Sequence, residues 1–145
     1  MTMLRQPASV LVVIYNENKE FLLLQRKDDS DFWQSVTGGI DHGELSLDTA
    51  YRELKEETGI DAKALNLKIK QHNTQNQYEI RPQWRHRYIK GALINTEYVF
   101  SICIPNSTPV TLCDEEHTDF IWLSKEDAAK KVWSQSNRKE ILAIS

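Results

Sequence analysis

The feature that most constrains the fold of this 145-residue chain is a helix-forming stretch, residues 47–58, set between strand-like runs. Leu47, Ala50, Tyr51 and Leu54 recur at helical spacing and make one apolar stripe. Ser46 is placed to cap the start, and Gly59 supplies the left-handed residue that ends a helix. Upstream, Val10–Tyr15 is a continuous β-branched and aromatic run. The turn-like Asn16-Glu17-Asn18-Lys19 and then Phe21–Gln25 follow, which predicts a hairpin. Ser35–Thr37 predicts a short strand entering Gly38-Gly39. Downstream, the alternation of Leu65, Leu67 and Ile69 predicts a half-buried strand, and Arg87–Ile89, Tyr98–Ile104 and Phe120–Leu123 predict three more. Ser124 with Asp127 marks the start of a second helix, and Asn137–Ile144 a third. Strands before, between and after helices imply a mixed sheet with helices on its faces, an α/β class.

No repeat, low-complexity tract or linker divides the chain, so one domain spanning residues 1–145 is expected. With 40% hydrophobic and 27% charged residues, it can bury a core without disulfides or metal. Its apolar runs are too short to cross a bilayer, and residues 1–7 lack a signal-peptide pattern. The expectation is a soluble cytoplasmic protein with no membrane partner. Two cysteines, Cys103 and Cys113, are too few for a disulfide scaffold, and Cys103, in an apolar run, is expected to be buried and inert. His42, His72 and His117 lack metal-site spacing with one another or with the cysteines. The net charge of −3 argues against bulk attraction to nucleic acid. That charge is concentrated: residues 38–60 carry six acids and two bases, a net of −4, leaving +1 for the remainder.

Three of those acids carry the chemistry. Glu53, Glu56 and Glu57, at spacings of three and four, fall within about 100° of one another on the helix surface. Like charges so placed repel, and the penalty grows with burial. A hard divalent cation with oxygen ligands offsets it. The plain alternative, a solvated acidic face, is weighed down by the flanking residues. Gly38, Glu44, Arg52-Glu53-Leu54, Glu56-Glu57 and Gly59-Ile60 satisfy every position of Gly-x5-Glu-x7-Arg-Glu-[aliphatic]-x-Glu-Glu-x-Gly-[aliphatic]. Chance would produce this less than roughly once in ten million chains of this size at background residue frequencies. On these residues the chain resembles the Nudix hydrolases. Walker-type, dinucleotide-type and His-Glu-x-x-His patterns are absent, so ATPase, dehydrogenase and zinc-protease readings have no support.

The resemblance implies an α/β/α sandwich and Mg²⁺-dependent hydrolysis of a phosphoanhydride, with Mn²⁺ a possible substitute. It makes Glu53 and Glu57 the principal metal ligands and Glu56 a third, with Arg52 and Glu44 joined as an ion pair. Gly38 is expected to allow a tight turn where a side chain would obstruct the phosphates. Outside the box, several strings resemble the dihydroneopterin triphosphate pyrophosphohydrolases of bacterial folate synthesis. They are Ser9–Tyr15, Leu24–Arg26 with Asp28-Asp29, Asp31–Thr37, Arg85–Tyr88, Asn95–Glu97, Glu116-His117 and Ser136–Arg138. That likeness implies conversion of 7,8-dihydroneopterin triphosphate to the monophosphate and pyrophosphate, with side activity on nucleoside triphosphates such as dATP.

It also implies that Glu116 is a further metal ligand or the base, with Asp114 and Glu115 as competitors. Substrate contacts are implied at Arg5, Arg26, Thr37, Tyr78, Glu79, Ile80, Arg81 and Ser134. Each contact has a plainer alternative, such as Arg26 pairing with Asp28 or Asp29, or Ser134 capping a helix. Trp33 and Trp122 adjoin strands and are expected in the core. The cluster Arg81, Trp84, Arg85, His86, Arg87 is expected as a phosphate-facing or salt-bridged strand rather than a nucleic-acid groove. Rival readings are a housecleaning nucleoside triphosphate pyrophosphatase and an RNA-end pyrophosphohydrolase. A non-catalytic nucleotide sensor is disfavoured because every box carboxylate is present. The partner is a small-molecule triphosphate; the oligomeric state stays open, with a monomer slightly favoured.

Overall fold

Strand β1 (Ala8–Asn16) has an apolar residue at nearly every position because both of its faces are covered. In the computed structural model, which describes residues 4–145, Val10, Val12 and Ile14 point to one side and Leu11 and Val13 to the other. Strand β2 (Glu20–Arg26) divides the same way, Leu22 and Leu24 against Phe21 and Leu23. The turn between them is closed by Asn16 Oδ1, which accepts from the backbone N–H groups of Asn18 and Glu20, both at 3.0 Å.

Beyond this hairpin the two strands part, and the chain fills the fork. One edge of β1 pairs in parallel with β6 (Ile94–Ile104), from Ala8↔Thr96 to Asn16↔Ile104. Its other edge is shared between β2, at Tyr15↔Phe21, and β4 (Val36–Gly39), from Ser9↔Gly39 to Val12↔Val36. The two edges of β2 hold β7 (His117–Ser124) and, at Leu24 and Gln25, β3 (Trp33–Gln34). Ser35 lies between β3 and β4, where Asn137 pins it. The Ser35 N–H donates to Asn137 Oδ1 and Asn137 Nδ2 donates to Ser35 Oγ, each at 2.9 Å. Strand β5 (Lys70–Glu79) closes the far side against β6.

Helix α1 (Ser46–Thr58) lays Ala50 and Leu54 on the Val10–Val12–Phe100 face. Helices α2 (Lys125–Lys131) and α3 (Gln135–Ala143) cover the opposite face with Ala128, Ala129 and Ile141. The expected α/β/α sandwich with a mixed sheet is what forms. Trp33 and Trp122 pack partly buried against the two cores, as expected. No helix among the described residues is long and apolar enough to cross a membrane.

Several local expectations need correction. The N-cap of α1 is Leu45, with Ser46 already helical. Glu44 organises this end instead: its Oε1 accepts from Thr49 Oγ1 at 2.6 Å and from the Asp41 N–H at 3.1 Å. The alternating Leu65, Leu67 and Ile69 form no strand; residues 62–66 turn, with Asn66 at φ 58°, and Leu67 and Ile69 pack against the α1 core from the irregular stretch that follows. The strand starts at Lys70. It is almost wholly polar because it lies at a sheet edge, so no apolar alternation announces it. Residues Pro82–Arg87 form a 3₁₀ helix rather than leading into a strand, with proline at the start. Cys103 is exposed, since β6 runs on past its last pairing with β5 at Lys70↔Ser101. Helix α3 begins two residues earlier than predicted, and its cap is Ser134.

Candidate active site

The four-residue spacing of Glu53 and Glu57 turns both into the protein, where they are 8% and 1% exposed, while Glu56 stays at the surface. Gly38 makes this possible. A Cβ there would lie 2.1 Å from Glu53 Cδ. Gly38 sits in extended β4, without a positive φ, so it makes room for a carboxylate rather than a tight turn beside phosphates. Arg52 locks the arrangement. Its Nε and one terminal nitrogen donate to the two oxygens of Glu44, both at 2.8 Å; the other terminal nitrogen donates to Glu53 Oε1 at 2.7 Å. A further bond to the Gly39 carbonyl, 3.0 Å, ties helix and loop to β4. The hydrogen bonds from Arg52 pull the Glu44 carboxyl down to about 2. The expected Arg52–Glu44 pair is therefore the centre of a larger clamp.

Glu57 is the anomaly. Both of its carboxylate oxygens are buried without a hydrogen-bond partner among the described residues. Burial, with Glu53 and Glu116 nearby, raises its pKa well above the usual carboxylate range. Glu53 is raised as well, chiefly by burial. Strand β7 brings His117 to this point, because its register sets His117 opposite Arg26. His117 Nε2 lies 3.7 Å from Glu57 Oε1 and 3.1 Å from Gln34 Nε2. With the amide donating, that ring nitrogen is an acceptor. Burial, then the Arg26 charge, lowers the His117 pKa to about 4, so the ring is neutral near pH 7.

Glu57, Glu116 and His117 each offer a ligand atom, all within 4.8 Å of one another. A divalent cation fits this group: it would satisfy the orphaned Glu57 oxygens and cancel the carboxylate repulsion. His117, set aside on sequence spacing, thus stands in the group. Glu56, expected as a third ligand, is turned outward with a carboxylate oxygen 3.3 Å from Arg52. Of the competitors to Glu116, Glu115 also lines the adjoining cleft, whereas Asp114 is exposed outside it.

That cleft has a volume of about 1060 Å³, and Glu53 and Glu116 open onto it. All eight residues expected as substrate contacts, Arg5, Arg26, Thr37, Tyr78, Glu79, Ile80, Arg81 and Ser134, line it. Their states differ. Ile80 is buried, and Ser134 caps α3, accepting from the Asn137 N–H at 3.3 Å. Arg26 donates two bonds of 2.8 Å to Asp28. One wall was not foreseen. Phe32 and Trp133 stack at 4.7 Å, and the Arg26 and Arg81 guanidinium groups each lie 4.6 Å from the Trp84 ring. The mixed run Arg81–Arg87 was the visible signal. Of its other two arginines, Arg87 also lines the cleft, whereas Arg85 turns away to bond Glu79 at 2.7 Å, as a salt-bridged reading expects. At the opposite end, Asn95 Nδ2 donates to Ser9 Oγ at 2.7 Å and to Tyr78 Oη at 3.1 Å.

Comparison with known proteins agrees with this fold. A NUDIX domain family model matches residues 5–143. The chain is 41% identical over 138 residues to the dihydroneopterin triphosphate diphosphatase of Escherichia coli K12, covering 94% of this chain and 91% of that protein. The enzyme of the same name from Haemophilus influenzae is 38% identical, covering 92% of this chain and 84% of the relative. The solved structure of the E. coli dihydroneopterin triphosphate pyrophosphohydrolase superposes with a TM-score of 0.92 at 40% identity, over 98% of this chain and 97% of that one.

Proposed function

Because the chain belongs to the NUDIX family and is a hydrolase of phosphoanhydride bonds, we propose that it cleaves 7,8-dihydroneopterin triphosphate to the monophosphate and pyrophosphate. The observation that carries this reading is the near full-length similarity to enzymes named for that substrate. Glu53 and Glu57 would hold the divalent ion, Mg²⁺ with Mn²⁺ as a substitute, and His117, whose Nε2 accepts from Gln34, stands beside them. Glu56 acts from outside, through Arg52. When bound, the cation neutralises phosphoryl charge and acidifies a water. Arg52 keeps Glu53 in position through its 2.7 Å bond. Glu116, exposed to the cleft, either completes the ligands of the ion or takes the proton from the attacking water, with Glu115 its rival as base. Arg81 and Arg5 offer donors to phosphate oxygens, and Arg26, with two donors on Asp28, keeps its other terminal nitrogen for them.

Thr37 and Ser134 contribute hydroxyl groups, Tyr78 an aromatic face for the ring, and Glu79 and Ile80 the backbone beside it. Nucleoside triphosphates such as dATP are expected as slower substrates. The reading includes a monomer in the cytoplasm, where triphosphates and Mg²⁺ are abundant. The test is to give purified protein and Mg²⁺ the pterin triphosphate in competition with dATP and 5′-triphosphorylated RNA. Pyrophosphate released fastest from the pterin substrate is expected. Release of orthophosphate alone, or preference for either competitor, would contradict the assignment.

A further inference from the structure

The cleft contains a second buried carboxylate, away from the Glu53–Glu57–Glu116 group. Glu97 of β6 is 4% exposed and lines the cleft. Its register fixes where it stands. Ser9 of β1 pairs with Glu97 on one side and with Gly39 of β4 on the other, so Glu97 lies two strand spacings, about 10 Å, from the β4 end of the site. Across the sheet it pairs with Asn76, just as Asn95 pairs with Tyr78. Glu97 and Tyr78 therefore share a face.

One oxygen of Glu97 is in use: Oε1 accepts from Ser136 Oγ at 3.0 Å. The Asn76 amide opposite donates to Glu140 Oε2 at 2.8 Å and accepts from Lys139 Nζ at 2.6 Å, with its second N–H on the Glu97 side. Each carboxylate oxygen carries two lone pairs, so Oε1 keeps one beside its bond to Ser136. Oε2 is not hydrogen-bonded to another side chain, and both oxygens can accept from a ligand in the cleft. We propose that Glu97 sets ring specificity by accepting a pair of hydrogen bonds from the ring N–H and adjacent exocyclic amino group of a 2-amino-4-oxopyrimidine edge. The proposal rests on the pterin reading above and names the group that selects the ring.

The chemistry is specific. A carboxylate carries two acceptors and no donor, the complement of two adjacent N–H donors; an adenine edge presents one donor and one acceptor and is mismatched. Burial raises the Glu97 carboxyl above its ordinary range, and in so dry a setting an unmatched polar edge is strongly rejected. Guanine carries the same donor pair as the pterin, whereas hypoxanthine keeps the ring N–H but lacks the amino group.

The test compares wild type and Glu97→Gln on the pterin triphosphate, dGTP, dITP and dATP. The amide replaces one acceptor by a donor at unchanged size. It is expected to lower kcat/KM by roughly 10- to 100-fold on the pterin triphosphate and dGTP, and by at most a few fold on dATP. Wild type is expected to favour dGTP over dITP by about tenfold, a preference that the variant loses. Equal loss on all four substrates, or no change in their ranking, overturns the proposal and leaves Glu97 as a brace for α3. If wild type ignores the pterin triphosphate yet discriminates dGTP from dITP through Glu97, the pterin reading fails while the edge-reading role stands.

Discussion

Glu57 has two oxygens, both buried and both without a hydrogen-bond partner among the described residues. Keeping that carboxylate ionised beside Glu53 and Glu116 costs stability in the metal-free protein, because burial has raised its pKa. Glu57→Gln removes the charge without changing the shape. The metal-free variant is expected to match or exceed wild type by about 1 kcal/mol in urea unfolding, while activity falls by more than about 100-fold. A purely structural glutamate would show the reverse. Glu44 behaves oppositely. Its pKa is drawn down from 4.5 to about 2 by Arg52, so its contribution is complete above the unfolded value and disappears as pH falls through the folded one. Discounted for partial exposure, the contribution is about 1–2 kcal/mol. The stability gap between wild type and Glu44→Gln should be constant near neutrality, shrink below pH 4.5 and close near pH 2.

Among the elements, the β3–β4 segment matters most for the site, since it carries Gln34, Thr37 and Gly38 into the fork between β1 and β2. Ser35 is held there by two 2.9 Å bonds from a helix about a hundred residues away. Asn137→Ala leaves the buried Ser35 N–H unpaired and is expected to cost about 2–3 kcal/mol, measured by urea denaturation. Legibility also varied by element. Helix α1 and strands β1 and β2 were readable because each buries a repeating apolar pattern of its own. Strand β5 was not, because a polar edge strand takes its conformation from the hydrogen bonds of β6 rather than from its own side chains. The Arg81–Arg87 run was read as chemistry but given the wrong conformation; Pro82 starts a 3₁₀ turn there.

For the molecule as a whole, the folded state gathers carboxylates that the unfolded chain keeps apart, so a divalent ion should bind the former selectively. Saturating Mg²⁺, at about a hundred times its dissociation constant, is expected to raise unfolding free energy by about 2.7 kcal/mol, read as a chelator-reversible rise in Tm. The rise should vanish in Glu57→Gln. The sequence alone determined the continuous apolar runs of β1 and β2, the helical stripe of α1 and the spacing of the box carboxylates, all of which depend on near neighbours. The tertiary structure decided which carboxylates lose water: Glu53 and Glu57 are covered and Glu56 is not. It also decided that Glu116 and His117 join them, that Gly38 exists to admit Glu53, and that Phe32, Trp84 and Trp133 back the arginines. Desolvation is set by whatever covers a group, and the segments that do the covering here are distant in sequence.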